Sequence, residues 1–305
     1  MWDIFPHTLK YERVPEEIRN LSSSQFQMIA DHFHETLKPL FWREDTPEID
    51  YSRVDHRRAY LLYYVAPYAA QLGYWISHFG LETALKEFTG EIVLIGTGPS
   101  PEMIALEYFR RKRGWDAFSY HCIDLNGAWE EQVDYLFRGD EHLYEYHTAD
   151  VSEPTCWANL PINFSEVDLV VCQNFLNEIP WTMAKTFEKS FATLFDSLSE
   201  GSSLLFSDLW GYNSTYPLDR LEKFWKENAF IEEAGVDGQV KLQVNIPPQS
   251  FPRLLGPLQD SDGRRLDSFW RKKNLRTFAK RVVKTNSTSA VENYRDFIDP
   301  LDDPF

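Results

Sequence analysis

One segment sets the architecture of this chain: Glu91-Ile92-Val93-Leu94-Ile95-Gly96-Thr97-Gly98-Pro99-Ser100-Pro101-Glu102. A short apolar run ends in two glycines, and an apolar, helix-compatible stretch begins after them. This order predicts a strand, a tight turn and a helix. Gly96 and Gly98 have no Cβ atom, so the turn can be sharp and a ligand can approach the backbone closely. Ligands of open α/β sheets bind beyond the carboxyl ends of the strands, which makes this turn the first candidate for a binding site.

The same turn resembles the glycine-rich first motif of the class I S-adenosylmethionine-dependent methyltransferases. The dinucleotide fingerprint of nicotinamide-dependent enzymes has a third glycine three residues after the second. Pro101 occupies that position here. The resemblance implies that the cofactor S-adenosylmethionine contacts Gly96, Thr97, Gly98 and Pro99. A strand-to-helix turn without a ligand is the alternative that the pattern leaves open.

Composition and charge limit the partners of the chain. Its 305 residues, 43% of them apolar, suffice for one large domain or for one domain with a smaller attachment. The formal net charge is −16. A nucleic-acid footprint normally needs clustered positive charge, so this balance argues against RNA or DNA as the main partner. The basic run Arg110-Arg111-Lys112-Arg113 fits the C-terminal end of a helix better than a nucleic-acid groove.

Cysteine usage and the N-terminal residues favour a cytoplasmic protein. Cys122, Cys156 and Cys172 are scattered and odd in number, without the spacing of a disulfide framework or a zinc site. The N-terminus lacks the basic region and apolar stretch of a secretory signal. No apolar run is long enough to span a bilayer. We therefore expect a cytoplasmic location and no membrane partner, whereas the oligomeric state is not readable from the sequence.

Two kinds of pattern divide the chain near residue 88. Before it, helical periods run from Ser24 to Leu37 and from Ser52 to Ile76, the second with an expected kink at Pro67. After it, apolar runs alternate with helical stretches, as in a mainly parallel sheet. The seven predicted strands are Ile92–Ile95, Ser119–Leu125, Leu143–His147, Val167–Cys172, Ser203–Phe206, Val240–Ile246 and Leu275–Val283.

The resemblance implies that the seventh strand lies antiparallel beside the fifth. We therefore predict an α/β fold: a seven-stranded, mostly parallel, doubly wound sheet with an N-terminal helical extension. The predicted divisions are a helical lid or substrate region (1–88), a Rossmann-like cofactor domain (89–284, with a Pro-rich insertion at about 247–267) and an acidic flexible tail (285–305).

At later strand ends the resemblance implies further contacts with S-adenosylmethionine. Asp124 ends the second strand, where the family places an acid on the ribose hydroxyls, and Leu125 follows it. Asp150 matches the acid that meets the adenine amino group, and Val151 would pack near the adenine ring. Asp124 fits a helix N-cap or a solvated loop acid as an alternative, and Asp150 fits a loop acid equally well.

The residues that follow the fourth strand are the second strongest indication of a binding site. A parallel strand that is buried on both faces should be almost entirely apolar, yet amides and a carboxylate follow this one directly. By the resemblance, Gln173, Asn174 and Phe175 would flank the methionine part or the adenine of the cofactor. Asn177 and Glu178 would face the substrate, and capping of the next helix is their structural alternative.

Methyl transfer requires alignment of the acceptor with the methyl carbon and exclusion of water, and some acceptors also need a base. The candidate catalytic residues are Glu178, Asn177 and Asp208, the last of which ends the fifth strand and fits a structural turn equally well.

The N-terminal helices are the expected wall of the substrate pocket. Tyr60 and Tyr64 belong to a tyrosine stripe with four-residue spacing, which could hold a hydrophobic or cationic acceptor. Packing against the sheet is the commoner reason for such a stripe. Arg58 precedes it and could reach the carboxylate of the cofactor. No metal is predicted, because His32 and His34 are two residues apart on a helix and His121 lies inside the second strand.

The leading interpretation is a methyltransferase that acts on a small molecule or on a protein or peptide side chain. Gly-Thr-Gly-Pro-Ser-Pro at 96–101 also resembles the Gly-x-Gly-Pro-x-Pro turn of nicotianamine synthase-like enzymes, which transfer the aminopropyl carboxylate group of the same cofactor. A non-catalytic module that binds S-adenosylmethionine or a partner protein is the third alternative. An RNA methyltransferase is fourth, because the acidic charge disfavours it.

Overall fold

The computed structural model describes residues 23–32, 49–85, 90–137, 144–179, 184–209, 212–225, 228–235, 240–245 and 272–285. The predicted insertion at about 247–267 lies outside these ranges, as do residues 33–37 of the first predicted helix and all of the predicted tail beyond Thr285.

Within the described ranges, eight strands form the sheet. In chain order they are β1 (Glu91–Ile95), β2 (Ser119–Asp124), β3 (Tyr144–Thr148), β4 (Leu169–Gln173), β5 (Ser203–Leu209), β6 (Ala229–Ala234), β7 (Lys241–Asn245) and β8 (Lys272–Lys284). Seven of them follow the order β3-β2-β1-β4-β5-β8-β6. The first five strands run parallel to one another, and β8 runs antiparallel between β5 and β6. The predicted mostly parallel α/β sheet is confirmed, including its antiparallel last strand beside β5.

Two strands differ from the sequence prediction. No strand was predicted for Ala229–Ala234, which forms β6 at the edge of the sheet. Phe230 in this strand is 57% exposed, and apolar and polar residues do not alternate along the strand. The predicted sixth strand, Val240–Ile246, is instead β7, which pairs with the first residues of β8 and lies off the main order.

The described helices are α1 (Ser23–His32), α2 (Val54–Tyr63), α3 (Val65–His78), α4 (Leu81–Leu85), α5 (Pro101–Arg113), α6 (Glu130–Leu136), α7 (Cys156–Asn159), α8 (Ala184–Ser197) and α9 (Tyr212–Trp225). The expected break in the second helical region lies at Tyr64, between α2 and α3. Pro67 itself occupies the first turn of α3, where its missing N–H removes no helical hydrogen bond. No described helix is both long and apolar enough to cross a bilayer.

Helices cover both faces of the sheet, as a doubly wound fold requires. On one face α3 and α5 bury Trp75 and Met103 against β1 and β2. On the other face α8 and α9 bury Phe191 and Trp225 against β4 and β5. Because α3 shares its core with the sheet, the described part of the N-terminal extension is packed as one body with it, and the predicted boundary near residue 88 stays a prediction.

A buried polar network fixes α3 across the carboxyl ends of the central strands. Gln71 Nε2 donates hydrogen bonds to Thr277 Oγ1 at 2.7 Å and to Ser207 Oγ at 3.0 Å. Asn174 Nδ2 donates to Gln71 Oε1 at 3.2 Å. Gln71 has no exposed surface, so these bonds hold the helix in one register. They place the tyrosine stripe, which runs from the end of α2 into the start of α3, beside the strand ends where the site was predicted.

Candidate functional site

The glycine turn after β1 is tied to the end of β2 by one carboxylate. Gly98 N donates to Asp124 Oδ2 at 2.8 Å, and Asn126 N donates to Asp124 Oδ1 at 2.8 Å. Each of these oxygens keeps a lone pair for another donor. Burial raises the pKa of Asp124 to about 6, against the lowering effect of the two backbone N–H groups. Asp124 is therefore a largely ionised acceptor at neutral pH, next to the glycine turn.

A second carboxyl group lies beneath the turn. Thr97 Oγ1 donates to Glu102 Oε2 at 2.7 Å, and Glu102 is only 2% exposed. Burial raises the pKa of Glu102 to about 8, and the charge of Asp124 adds to the shift. The hydroxyl of Thr97, predicted as a cofactor contact, is thus directed inward to Glu102. Its backbone N–H donates to Ile123 O at 3.3 Å and its carbonyl accepts from Ser100 N at 2.8 Å, so the cofactor contact stays a prediction.

Five aromatic rings lie over this turn and form what we call the tyrosine cluster: Tyr51, Tyr60, Tyr64, Tyr68 and Trp129. The ring centroids of Tyr60 and Tyr64 are 5.1 Å apart, and those of Tyr60 and Trp129 are 5.4 Å apart. A Cβ atom at Gly98 would lie 3.7 Å from Trp129, so the cluster reaches the turn itself. The predicted substrate-pocket residue Tyr60 is therefore linked to the predicted cofactor turn through Trp129, and Tyr64 packs beside Tyr60.

Glu178 lies near the tyrosine cluster. Burial raises the pKa of Tyr64 and Tyr68 well above the ordinary range, and the negative charge of Glu178 contributes to both shifts. Glu178 keeps an exposed surface, yet the protein around its carboxyl group is dense enough to raise its pKa to about 8. The charges of Asp124 and Asp208 add to that rise. The site thus combines aromatic faces with acidic groups.

The hydroxyl of Tyr51 is a polar group without a hydrogen-bond partner among the described residues. Tyr51 Oη is buried, and the ring lies 5.3 Å from Trp129 and 5.6 Å from Tyr60, measured between centroids. Arg57 fixes the backbone here, because its Nη1 donates to Tyr51 O at 2.7 Å and to Ser52 O at 2.7 Å. An unpaired buried hydroxyl costs about 1–3 kcal/mol, which a polar ligand atom beside it would recover.

The amides after β4 bind α3. Gln173 Nε2 donates to Tyr68 O at 2.8 Å, and Asn174 belongs to the network around Gln71. Phe175 packs against the glycine turn, where its Cδ2 atom would lie 2.4 Å from a Cβ atom on Gly96. Gln173 and Asn174 therefore have a structural use that the sequence did not indicate, and direct cofactor contacts from them and from Phe175 stay predictions.

The other candidate catalytic groups are less well placed. Asp208 has no exposed surface, and its carboxylate accepts from Leu176 N at 3.0 Å and from Leu209 N at 2.6 Å. These bonds favour the structural turn role that the sequence left open. The side chain of Asn177 lies outside the described part of the chain. Glu178 is thus the strongest candidate for a base.

The predicted adenine contacts lie at the ends of β2 and β3. Asp150 Oδ1 accepts from Ser152 N at 2.9 Å and from Ser152 Oγ at 2.6 Å, which fits the loop role given as its alternative. Leu125 is 66% exposed, whereas Val151 is 6% exposed. An exposed leucine next to Asp124 offers an apolar surface to a flat ring, and the adenine role of these residues stays a prediction.

Sequence reasoning missed Tyr51 and Trp129 as site residues. Tyr51 precedes α2 and falls outside the four-residue stripe, so the helical period did not include it. Trp129 follows Asp124 by five residues, at the end of a short turn that Asn126 begins by accepting from Ala128 N. Arg58 is half-buried on α2, and its predicted contact with a cofactor carboxylate stays a prediction.

Two observations identify the fold. The antiparallel β8 lies between β5 and β6 in an otherwise parallel sheet, and a glycine turn after β1 meets an acid at the end of β2. The chain has the class I methyltransferase fold. No protein-family model and no curated protein sequence matches it.

Solved methyltransferase structures are similar to this chain only at a distance. A S-adenosylmethionine-dependent methyltransferase from Clostridium acetobutylicum is 14% identical over 89% of this chain and 86% of its own, with a TM-score of 0.36. A precorrin-6y C5,15-methyltransferase from Geobacter metallireducens is 10% identical over 68% and 87%, with a TM-score of 0.41. A presumed RNA methyltransferase from Pyrococcus horikoshii is 12% identical over 72% and 83%, with a TM-score of 0.42. At these identities and TM-scores, neither the role of any residue nor the acceptor can be transferred from these structures to this chain.

Proposed function

We propose that this protein is a S-adenosylmethionine-dependent methyltransferase whose acceptor is a small molecule or a protein or peptide side chain. The observation that carries the proposal is the position of Asp124, which lies at the glycine turn and interacts electrostatically with Glu178. S-adenosylmethionine supplies an activated methyl group on a sulfonium, so the protein has to bind, align and exclude water.

The residues around the turn fit the donor. Asp124 has acceptor capacity left for vicinal hydroxyls, as a ribose presents them. The exposed side chain of Leu125 offers an apolar surface beside it. The hydroxyl of Tyr51, which has no partner in the part of the chain that the structure describes, supplies a further polar group within the tyrosine cluster. These features support the cofactor assignment independently of the distant structural neighbours.

The character of the site favours a positively charged ligand. Aromatic faces attract cations, and the nearby carboxyl groups add negative charge. A sulfonium meets this description, and so does an ammonium group of an acceptor. In this proposal Tyr60 and Tyr64 form the pocket wall, and Glu178 removes the proton that an amine loses before or during transfer. Nucleic acid is not the proposed acceptor, because the chain carries a net charge of −16.

The Asp124→Ala variant should bind S-adenosylhomocysteine more weakly than the native protein. A hydrogen bond to a charged group contributes roughly 1.5–3 kcal/mol, which corresponds to a loss of about 10- to 150-fold in affinity. Calorimetric titration of both proteins measures this difference. Asp116→Ala, at an exposed position, is the matched control and should bind like the native chain.

Either of two results would contradict the proposal. The folded native chain would fail to bind S-adenosylmethionine and S-adenosylhomocysteine, or Asp124→Ala would bind as tightly as the native chain while remaining folded by circular dichroism. Mass detection of products in an acceptor screen then separates methyl transfer from aminopropyl transfer. Binding without any product would support the non-catalytic alternative.

The Tyr51→Phe variant should separate ligand binding from stability. It removes a buried hydroxyl that has no partner among the described residues and keeps the ring, so the free energy of unfolding should stay the same or rise. Affinity for S-adenosylhomocysteine should fall by about 2- to 10-fold if the ligand supplies the missing partner. Chemical denaturation and calorimetry measure the two quantities, and a less stable variant with native affinity would contradict the assignment.

We also infer a cytoplasmic location. Cys122, Cys156 and Cys172 are buried free thiols, which suits a reducing compartment. Fluorescence localisation of the tagged full chain tests this inference, and signal in a secretory compartment would contradict it.

A further inference from the structure

The register of β2 and β3 brings two histidines and a glutamate together outside the candidate active site. His121 of β2 pairs with Glu145 of β3, and His147 follows Glu145 by two residues, so all three side chains lie on one face of the sheet. His121 Nδ1 lies 3.3 Å from His147 Nε2. Glu145 Oε2 lies 3.7 Å from His121 Nδ1 and 3.7 Å from His147 Nε2. Three potential ligand atoms therefore form a small triangle.

This triangle has the dimensions of one face of a tetrahedral metal site. Zinc binds imidazole nitrogen at about 2.0–2.1 Å and carboxylate oxygen at about 2.0–2.2 Å, which separates tetrahedral ligand atoms by about 3.3–3.5 Å. The side chains of His121 and His147 are 10% and 11% exposed, whereas that of Glu145 is 65% exposed. The two imidazoles are thus held by their surroundings, and the exposed carboxylate can close the small remaining gap by rotating.

Glu91 supplies the outer support that histidine ligands commonly have. His121 Nε2 lies 3.4 Å from Glu91 Oε2, on the ring nitrogen that faces away from the triangle. A proton on Nε2 that points to this carboxylate leaves the Nδ1 lone pair for a metal.

We propose that His121, Glu145 and His147 bind a divalent transition-metal ion, most naturally Zn²⁺, and that Glu91 positions His121 for it. Two imidazoles and one carboxylate suit zinc and its neighbours, whereas calcium and magnesium prefer all-oxygen sites. Three protein ligands leave a fourth position for water. The proposal replaces the expectation of no metal, which considered His121 alone and not its partners across the register.

The metal site is separate from the proposed active site. His121 precedes Asp124 by three residues, so the two side chains leave opposite faces of β2, about 10 Å apart along the strand. β3 is the edge strand of the sheet. An ion bound by residues of β2 and β3 would fasten this edge strand to its neighbour, so we assign the site a structural role and expect it to raise stability.

Cobalt titration of the full chain tests the proposal, after removal of any purification tag and of bound metal by a chelator. Co²⁺ should bind at one equivalent with the intense visible absorption of a tetrahedral site, and Zn²⁺ should displace it. The spectrum should be lost in His147→Gln and in Glu145→Gln. Glu91→Gln should keep the spectrum but bind about 10- to 100-fold more weakly. His78→Gln, at an exposed histidine outside the triangle, is the control and should bind like the native chain.

Thermal unfolding gives an independent measurement. Saturating Zn²⁺ should raise the midpoint of the native protein by roughly 4–8 °C and that of Glu145→Gln by much less. Glu145 is exposed, so this variant should fold even if His147→Gln does not. Absence of a cobalt spectrum in the folded native chain, or an equal spectrum in Glu145→Gln, would overturn the proposal. The two histidines would then simply share a hydrogen bond.

Discussion

Replacing Glu178 with glutamine should lower kcat for methyl transfer to an amine by about 10²- to 10⁴-fold, the usual contribution of a general base. Glu178 has an exposed surface and interacts with Asp124 and with the tyrosine cluster. Because the residue is exposed, the neutral amide should leave the fold intact. Formation of S-adenosylhomocysteine with an acceptor from the screen measures the rate. Glu131→Gln, at another exposed glutamate, is the matched control and should keep native activity.

The same role predicts a specific pH dependence. The protein packed around the carboxyl group of Glu178 raises its pKa to about 8, and the charges of Asp124 and Asp208 add to the rise. A carboxyl group accepts a proton only when it is ionised, so kcat should rise with pH and reach a plateau above about pH 8. In Glu178→Gln this rise should be absent. A native profile without a rise between pH 6 and 8, or a variant that retains most of the native rate, would remove Glu178 as the base.

Local sequence signals sufficed for the central part of the fold. The segment from Glu91 to Glu102 combines an apolar run, two glycines and a helical period, and each of these features specifies the same strand, turn and helix. The same agreement made the other four parallel strands predictable. β6 was not predictable in this way, since an edge strand with exposed residues on both faces has no apolar alternation to read.

The candidate site was predictable only where an acidic side chain follows the end of an apolar strand. Asp124 and Glu178 both follow apolar strands directly or closely, so they could be placed at the carboxyl edge. The hydrogen bonds of Gln71 join residues 103 to 206 positions apart, and no local pattern records such contacts. His121 and Glu145 became neighbours only through the register of two strands. These contacts could not be predicted because the residues that form them lie far apart in the sequence.

Gly96→Ala should destabilise the protein by roughly 2–4 kcal/mol, the sum of left-handed backbone strain and overpacking. Gly96 has φ of +62°, and an added Cβ would lie 2.4 Å from Cδ2 and 2.7 Å from Cγ of Phe175. The ring of Phe175 packs near Phe187 and Phe191, with centroids 6.0 Å and 6.4 Å away, so it has little room to move. Urea denaturation monitored by circular dichroism measures the change in the free energy of unfolding.

Gly114→Ala separates the two causes. Gly114 ends α5 with φ of +68°, but an added Cβ would meet nothing within 4 Å. Only backbone strain remains there, so this variant should lose about 1 kcal/mol. A larger loss at Gly96 than at Gly114 would assign the difference to contact with Phe175, and affinity for S-adenosylhomocysteine should fall with it. Equal losses would show that Phe175 moves aside, and the glycine at position 96 would then be required by its backbone conformation alone.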